Sequence, residues 1–225
     1  MMNALSKDQA LSIAEISTAM GACLANSQEL LEEAALLVEA GHTARAFFLY
    51  YTASEELAKF FIFEAAGKRV ALGDPPNWRR FWQRFRSHDS KLAHIEVRAR
   101  IPLRDEKPED HELALTGLDL LSSYGALPRN TTLYVDLDPN HLFRKPSDID
   151  WTFALPSIEA LARHLLHSAK QGGDSPDAIA RAIQQEPSET SKKHALRTLE
   201  HAVVRLKASG IEKDELLKRL DKFLR

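Results

Sequence analysis

Three short stretches hold side chains whose types and spacing suit chemistry. In the first, Glu55, Glu56 and Lys59 are the only charges between Phe47 and Phe63. Glu55 falls on the same helical stripe as Phe48, Tyr51 and Ile62, and a carboxylate in such a setting needs a partner, because burying it unpaired costs several kcal/mol. Lys59, four residues on, is the nearest candidate, in the favourable Glu-to-Lys order; a solvated i,i+4 pair is the plain alternative. In the second, His88 and Lys91 are three apart and share a helical face just after Arg84 and Arg86. Such a group suits a phosphate, with the imidazole able to move a proton near neutral pH; a solvated basic helix is the alternative. In the third, LPRNTTLYVDLD, Arg129 and Asn130 stand five and four residues before Tyr134 in the one convincing run of β-formers. An extended strap crossing the molecule, with Arg129 at a helix C-terminus, explains the same residues without any chemistry.

Other constellations are weaker. Trp78, Phe81, Trp82 and Phe85 interleave with arginines, as a base-stacking surface would, yet their spacing is also that of a helix core, which is the preferred reading. The one Glu-x-x-His, Glu39 to His42, straddles Gly41, so paired acids offer little for a di-metal bundle site, and no metal or cofactor is expected. Arg104 and His111 frame a polar stretch interrupted by Pro108. His111, His141, His164, His167, His194 and His201 lie in ordinary surface or interhelical contexts, and HExxH, GxSxG and phosphate-loop patterns are absent.

The elements that must position these residues read as helix after helix. Ser6 and Gln9 resemble a capping box opening a helix over about 7–40, with Gly21 as a break. The segment 43–68 is apolar nearly all round, as befits the middle of a bundle. Gly73 to Asn77 break the chain; a short aromatic-basic helix, a cap at Ser87 and a second helix follow, closed by Pro102 and Pro108. Helices over about 110–123 and 151–170 flank the Arg129 stretch, Asp148 and Asp150 serving as caps for the latter. The Gln-Gly-Gly-Asp-Ser-Pro run at 171–176 is a linker to three amphipathic helices at about 176–185, 190–208 and 211–224. Two units are expected: a bundle over 1–170, and a linker with a small helical appendage over 171–225.

At 225 residues, 44% apolar and 28% charged, the chain can bury one good core. A single cysteine, Cys23, excludes an internal disulfide and a cysteine-based zinc site, and is expected in the core. The start, MMNALSKDQALSI, lacks a signal-peptide pattern, and no segment offers the roughly 20 apolar residues of a membrane span, so a cytoplasmic location without membrane contact is expected. From Trp78 to Arg104 eight basic residues face two acids on a chain of net charge −2, so one positive face should sit on an acidic body.

Taken together, LLEEAALLVEAGHTARAFFLYYTASEELAK, FWQRFRSHDSKL and LPRNTTLYVDLD followed by a Pro and another helix resemble, over roughly residues 25–170, the AbiV family of abortive infection proteins, bacterial anti-phage factors of the HEPN superfamily. The resemblance implies an all-α, up-and-down bundle with a short extended strap, usually paired into a homodimer, and commonly a metal-independent RNase. The superfamily motif is Arg, often followed by Asn, with a His after four to six intervening positions. Arg129 and Asn130 match its first half, and Tyr134 stands where the His would be. That is a departure, because a tyrosine, with a pKa of about 10, is a poor general base. Glu55, Glu56 and Lys59 match the family's Glu-Glu-x-x-Lys, and His88 and Lys91 its His-x-x-Lys. The resemblance therefore implies that Glu55, Lys59, His88, Lys91, Arg129, Asn130 and Tyr134 converge in one cleft at a dimer interface. There His88 or Tyr134 would move a proton while Arg129 and Lys91 stabilise phosphorane charge, with RNA as substrate or ligand. The alternative is a non-catalytic module that uses the same cleft to lock a dimer or receive a phage or host protein. Nucleotide binding ranks last.

Overall fold

The computed structural model describes residues 8–124, 132–134, 136–137, 143–171 and 178. Arg129, Asn130 and the expected C-terminal helices lie outside the described residues, apart from Ala178, which is helical.

Helix α1, Ile13–Glu39, starts at a complete capping box: Ser12 accepts from the Glu15 amide, and the Glu15 carboxylate accepts from the Ser12 amide. The start is therefore six residues later than the Ser6 pattern predicts. Gly21 does not break α1, which runs through it. The break falls at Gly41, whose φ of 76° is the left-handed turn that lets the chain reverse into α2, Thr43–Ala71. Helix α2 is buried on nearly every side, as its apolar composition requires, and packs against α1, α4 and the last described helix, α6 (Leu155–Gln171).

Asn77 caps α3, Trp78–Arg86, by accepting from the Arg80 amide, and Ser87 caps α4, His88–Ala99, by accepting from Ser90. Phe81 and Trp82 are buried, and Phe81 and Phe85 pack on Phe63 of α2 at ring separations of 5.6 and 5.1 Å. The aromatic positions of α3 thus serve as core, leaving Arg79, Arg80 and Arg86 exposed. Helix α5, Pro108–Tyr124, crosses α6 closely enough that a Cβ at Gly117 would stand 2.2 Å from the Ser157 carbonyl oxygen.

Among the described residues between α5 and α6, the expected strap is extended only in part. Thr132 and Leu133 are helical; Asp136–Leu137 (β1) and Phe143–Arg144 (β2) form a two-residue antiparallel pairing, followed by a 3-10 turn at Pro146–Asp148. Asp150 accepts from the Thr152 amide, and α6 begins at Leu155, a few residues later than expected. The architecture is an all-α bundle with this small extended segment attached. No helix among the described residues is long and apolar enough to cross a membrane.

Candidate functional site

The three charges singled out on α2 fall into two separate groups. Lys59 pairs with Glu56 at 2.5 Å, with its ammonium 5.6 Å from the centre of the Phe85 ring. Lys59 is therefore not the partner of Glu55, as the spacing suggested. A helical step of three serves the ion pair as well as a step of four, and Glu55 is engaged elsewhere. Its Oε1 is 2.5 Å from His88 Nδ1, its Oε2 accepts from Lys91 Nζ at 2.9 Å, and the Tyr51 hydroxyl donates to Oε1 at 3.2 Å.

Burial differs sharply across this group. The Lys91 side chain is 6% exposed and that of Glu55 13%, whereas that of His88 is 44% exposed. A sealed ion pair thus holds an imidazole that faces solvent. Burial pushes the Glu55 carboxyl up, but the hydrogen bonds and charges of His88 and Lys91 together outweigh it and hold the group below the ordinary carboxylate value. An ionised Glu55 fixes the hydrogen of a neutral His88 on Nδ1 and makes Nε2 the basic nitrogen. Lys91, read from sequence as a phosphate-stabilising group, is instead committed to Glu55 and almost closed to solvent.

Two and a half turns further along α2, Glu64 repeats the pattern. It is 4% exposed, accepts from Lys68 at 2.8 Å, and meets Arg98 of α4 at 2.5 Å, the guanidinium lying 4.5 Å over the Phe61 ring. Sequence reading missed this pair. The available signal was spacing: Glu55 and Glu64 are nine apart on α2, Lys91 and Arg98 seven apart on α4, which is about 13 and 10 Å of helix.

Arg84 lies among like charges. Burial first, then Arg80 and Arg69, lowers its pKa from the ordinary guanidinium value, and such crowding favours a bound anion. Tyr134 is 61% exposed, and Thr132 beside it is fully buried. The structure therefore brings Glu55, His88 and Lys91 together, gives Glu56 and Lys59 a pair of their own, and places Arg84 and Arg86 on the adjoining basic helix. Cys23 is buried, and burial aided by the Glu56 charge pushes its thiol up to about 12, which leaves it inert as a nucleophile.

A second cluster, read from sequence as ordinary histidines, lies where α4, α5 and α6 meet. His164 is 3% exposed, with Nδ1 2.6 Å from Glu106 Oε1 and Nε2 3.4 Å from the Arg98 carbonyl. The His111 ring stacks on that of His164 at 5.3 Å, and its Nε2 donates to the Ala99 carbonyl at 2.9 Å. Pro108 opens α5 rather than interrupting a loop, the position in a helix that a proline suits best.

A model of the HEPN-type AbiV family, described as AbiV, matches residues 15–167. No curated protein and no solved structure matches the chain.

Proposed function

The chain belongs to the AbiV family of HEPN proteins, and from that premise we propose that it is an abortive-infection protein that cuts or binds RNA, with His88 as its proton-moving group. The observation that carries the reading is the Glu55–His88–Lys91 arrangement: a buried, charge-balanced carboxylate orienting an exposed imidazole beside a basic helix. A purely structural ion pair has no need of a half-exposed histidine, whereas a general base needs this combination of fixed tautomer and solvent access.

In the cutting reaction, Nε2 of His88 takes the proton of a ribose 2'-hydroxyl as its oxygen attacks the neighbouring phosphorus. The P–O5' bond breaks, and the leaving 5'-oxygen takes a proton from solvent water, giving a 2',3'-cyclic phosphate and a 5'-hydroxyl end. Lys91 acts as a positioning residue through Glu55. Stabilisation of the phosphorane falls to Arg129, with Asn130 orienting it and Arg84 and Arg86 drawing the RNA backbone in. Tyr134, exposed on the segment that carries the motif, supplies a hydroxyl to the same phosphate.

Incubating purified protein with total cellular RNA in EDTA and analysing the product ends tests this. Cyclic-phosphate ends that disappear in His88→Ala and Arg129→Ala are expected. Intact RNA with a folded, dimeric sample, both alone and with phage-infected extract, would move the assignment to the interaction module, in which the same cleft receives a phage or host protein.

A further inference from the structure

We propose that Glu106, His111 and His164 form a binding site for a zinc-type divalent transition-metal ion, at the junction of α4, α5 and α6 and separate from the Glu55–His88 group. One donor atom from each of the three residues lies within 4.8 Å of the other two. Two imidazoles and a carboxylate are a ligand set that suits zinc and its neighbours, with bonds of about 2.0–2.2 Å that place tetrahedral donors about 3.3 Å apart. Glu106 and His164, now 2.6 Å apart, need only open slightly to admit an ion, and His111 needs a side-chain adjustment.

An independent observation is how the ligands are held. Nε2 of His111 and Nε2 of His164 each face a backbone carbonyl, of Ala99 and of Arg98, in the last turn of α4. A carbonyl on one ring nitrogen is the arrangement that orients a ligating histidine, raises its basicity and leaves Nδ1 for the ion. The Glu106 carboxylate is oriented in the same way, its Oε2 accepting from the Leu103 amide at 3.2 Å. The carbonyl end of a helix also favours a cation.

The surroundings point to an open site. Glu106 and His164 line a cleft of about 520 Å³, together with Asp105, Asp110, Glu159, Arg163 and His167. Glu106 included, four carboxylates face that space against one guanidinium, and Arg163 is already paired with Glu159 at 2.7 Å. Three protein ligands and room for water make the coordination of an accessible ion rather than of a sealed structural one. This departs from the expectation, drawn from sequence, that the chain holds no metal.

Binding of Zn²⁺, and of Co²⁺ as a coloured probe, to the metal-stripped full chain tests the site by calorimetry and visible absorption, with no RNA present. One ion per chain is expected, with Co²⁺ bands of four- or five-coordinate nitrogen and oxygen ligation and a raised Tm at saturating Zn²⁺. Glu106→Gln and His111→Ala should each weaken binding at least a hundredfold, while His88→Ala binds as the parent does. His164 is too deeply buried to serve as the sole test, so the two partly exposed ligands decide. Parent-like affinity in both variants, or no saturable binding by the parent, overturns the proposal. Because neither readout depends on RNA, failure here is distinguishable from failure of the RNA reading.

Discussion

At the scale of single residues, sequence identified the acids and bases but not their partners. Glu55 was legible as a carboxylate in need of one, because its neighbours on α2 are apolar. Lys59 looked like that partner only because local spacing is all a sequence shows. His88 and Lys91 are 33 and 36 positions away, and Arg98 reaches Glu64 over 34. The fold, not the spacing, brings them together. His94 gives a prediction at this scale. It is lowered to about 4, first by burial, then by the Arg98 and Arg84 charges, with Glu64 opposing. An unfolded histidine accepts its proton at about 6.5, so the neutral folded form contributes fully above that pH. The contribution is lost as pH falls from about 6.5 to 4, for a total of about 3 kcal/mol. Urea unfolding at pH 7 and pH 4.5 should show His94→Asn losing markedly less stability than the parent over that interval; equal losses would remove His94 as the cause.

At the scale of elements, the starts of α3 and α4 were readable nearly to the residue, whereas that of α1 was not. Asn77 and Ser87 start α3 and α4, and Gly41 and Gly73, both in the left-handed region, follow the ends of α1 and α2. Ser6 and Gly21 misled for opposite reasons. A capping pattern recurs by chance in polar stretches, and a single glycine costs an interior helix only about 1 kcal/mol, which packing readily offsets. The α5–α6 crossing was invisible, since nothing local marks Gly117 as a contact. Its missing Cβ lets the Ser157 carbonyl approach. Gly117→Ala should therefore destabilise the protein by about 1–3 kcal/mol through a forced shift of α6, despite alanine's better helix propensity. Thermal denaturation checks it; a raised Tm would show that the two helices do not meet as described. Lys91 tests the α2–α4 join: Lys91→Ala leaves Glu55 buried with one cation fewer and should cost about 3–5 kcal/mol, read from denaturant midpoints.

At the scale of the molecule, a basic face on an acidic body was the reading of the charge distribution, and the structure leaves Arg79, Arg80 and Arg86 exposed on α3 because its aromatic positions are spent on the core. A backbone-binding role predicts salt dependence. In a His88→Ala background that leaves RNA uncut, replacing Arg80, Arg84 and Arg86 by Ala should weaken single-stranded RNA binding. It should also flatten the slope of log affinity against log salt by about 2, at about 0.7 per phosphate contact. An unchanged slope would mean that α3 does not meet phosphates.

The central claim is that Glu55 acts on RNA through His88. The measurement closest to it is the cleavage rate of the parent, Glu55→Gln, His88→Ala and the double variant on one RNA, each checked for folding by its melting curve. A loss of about 10²- to 10⁴-fold in His88→Ala, with the double variant no slower than His88→Ala alone, is the predicted result, because a positioning residue has nothing left to orient once the imidazole is gone. Independent, multiplying losses, or cleavage that survives without His88, would contradict the account.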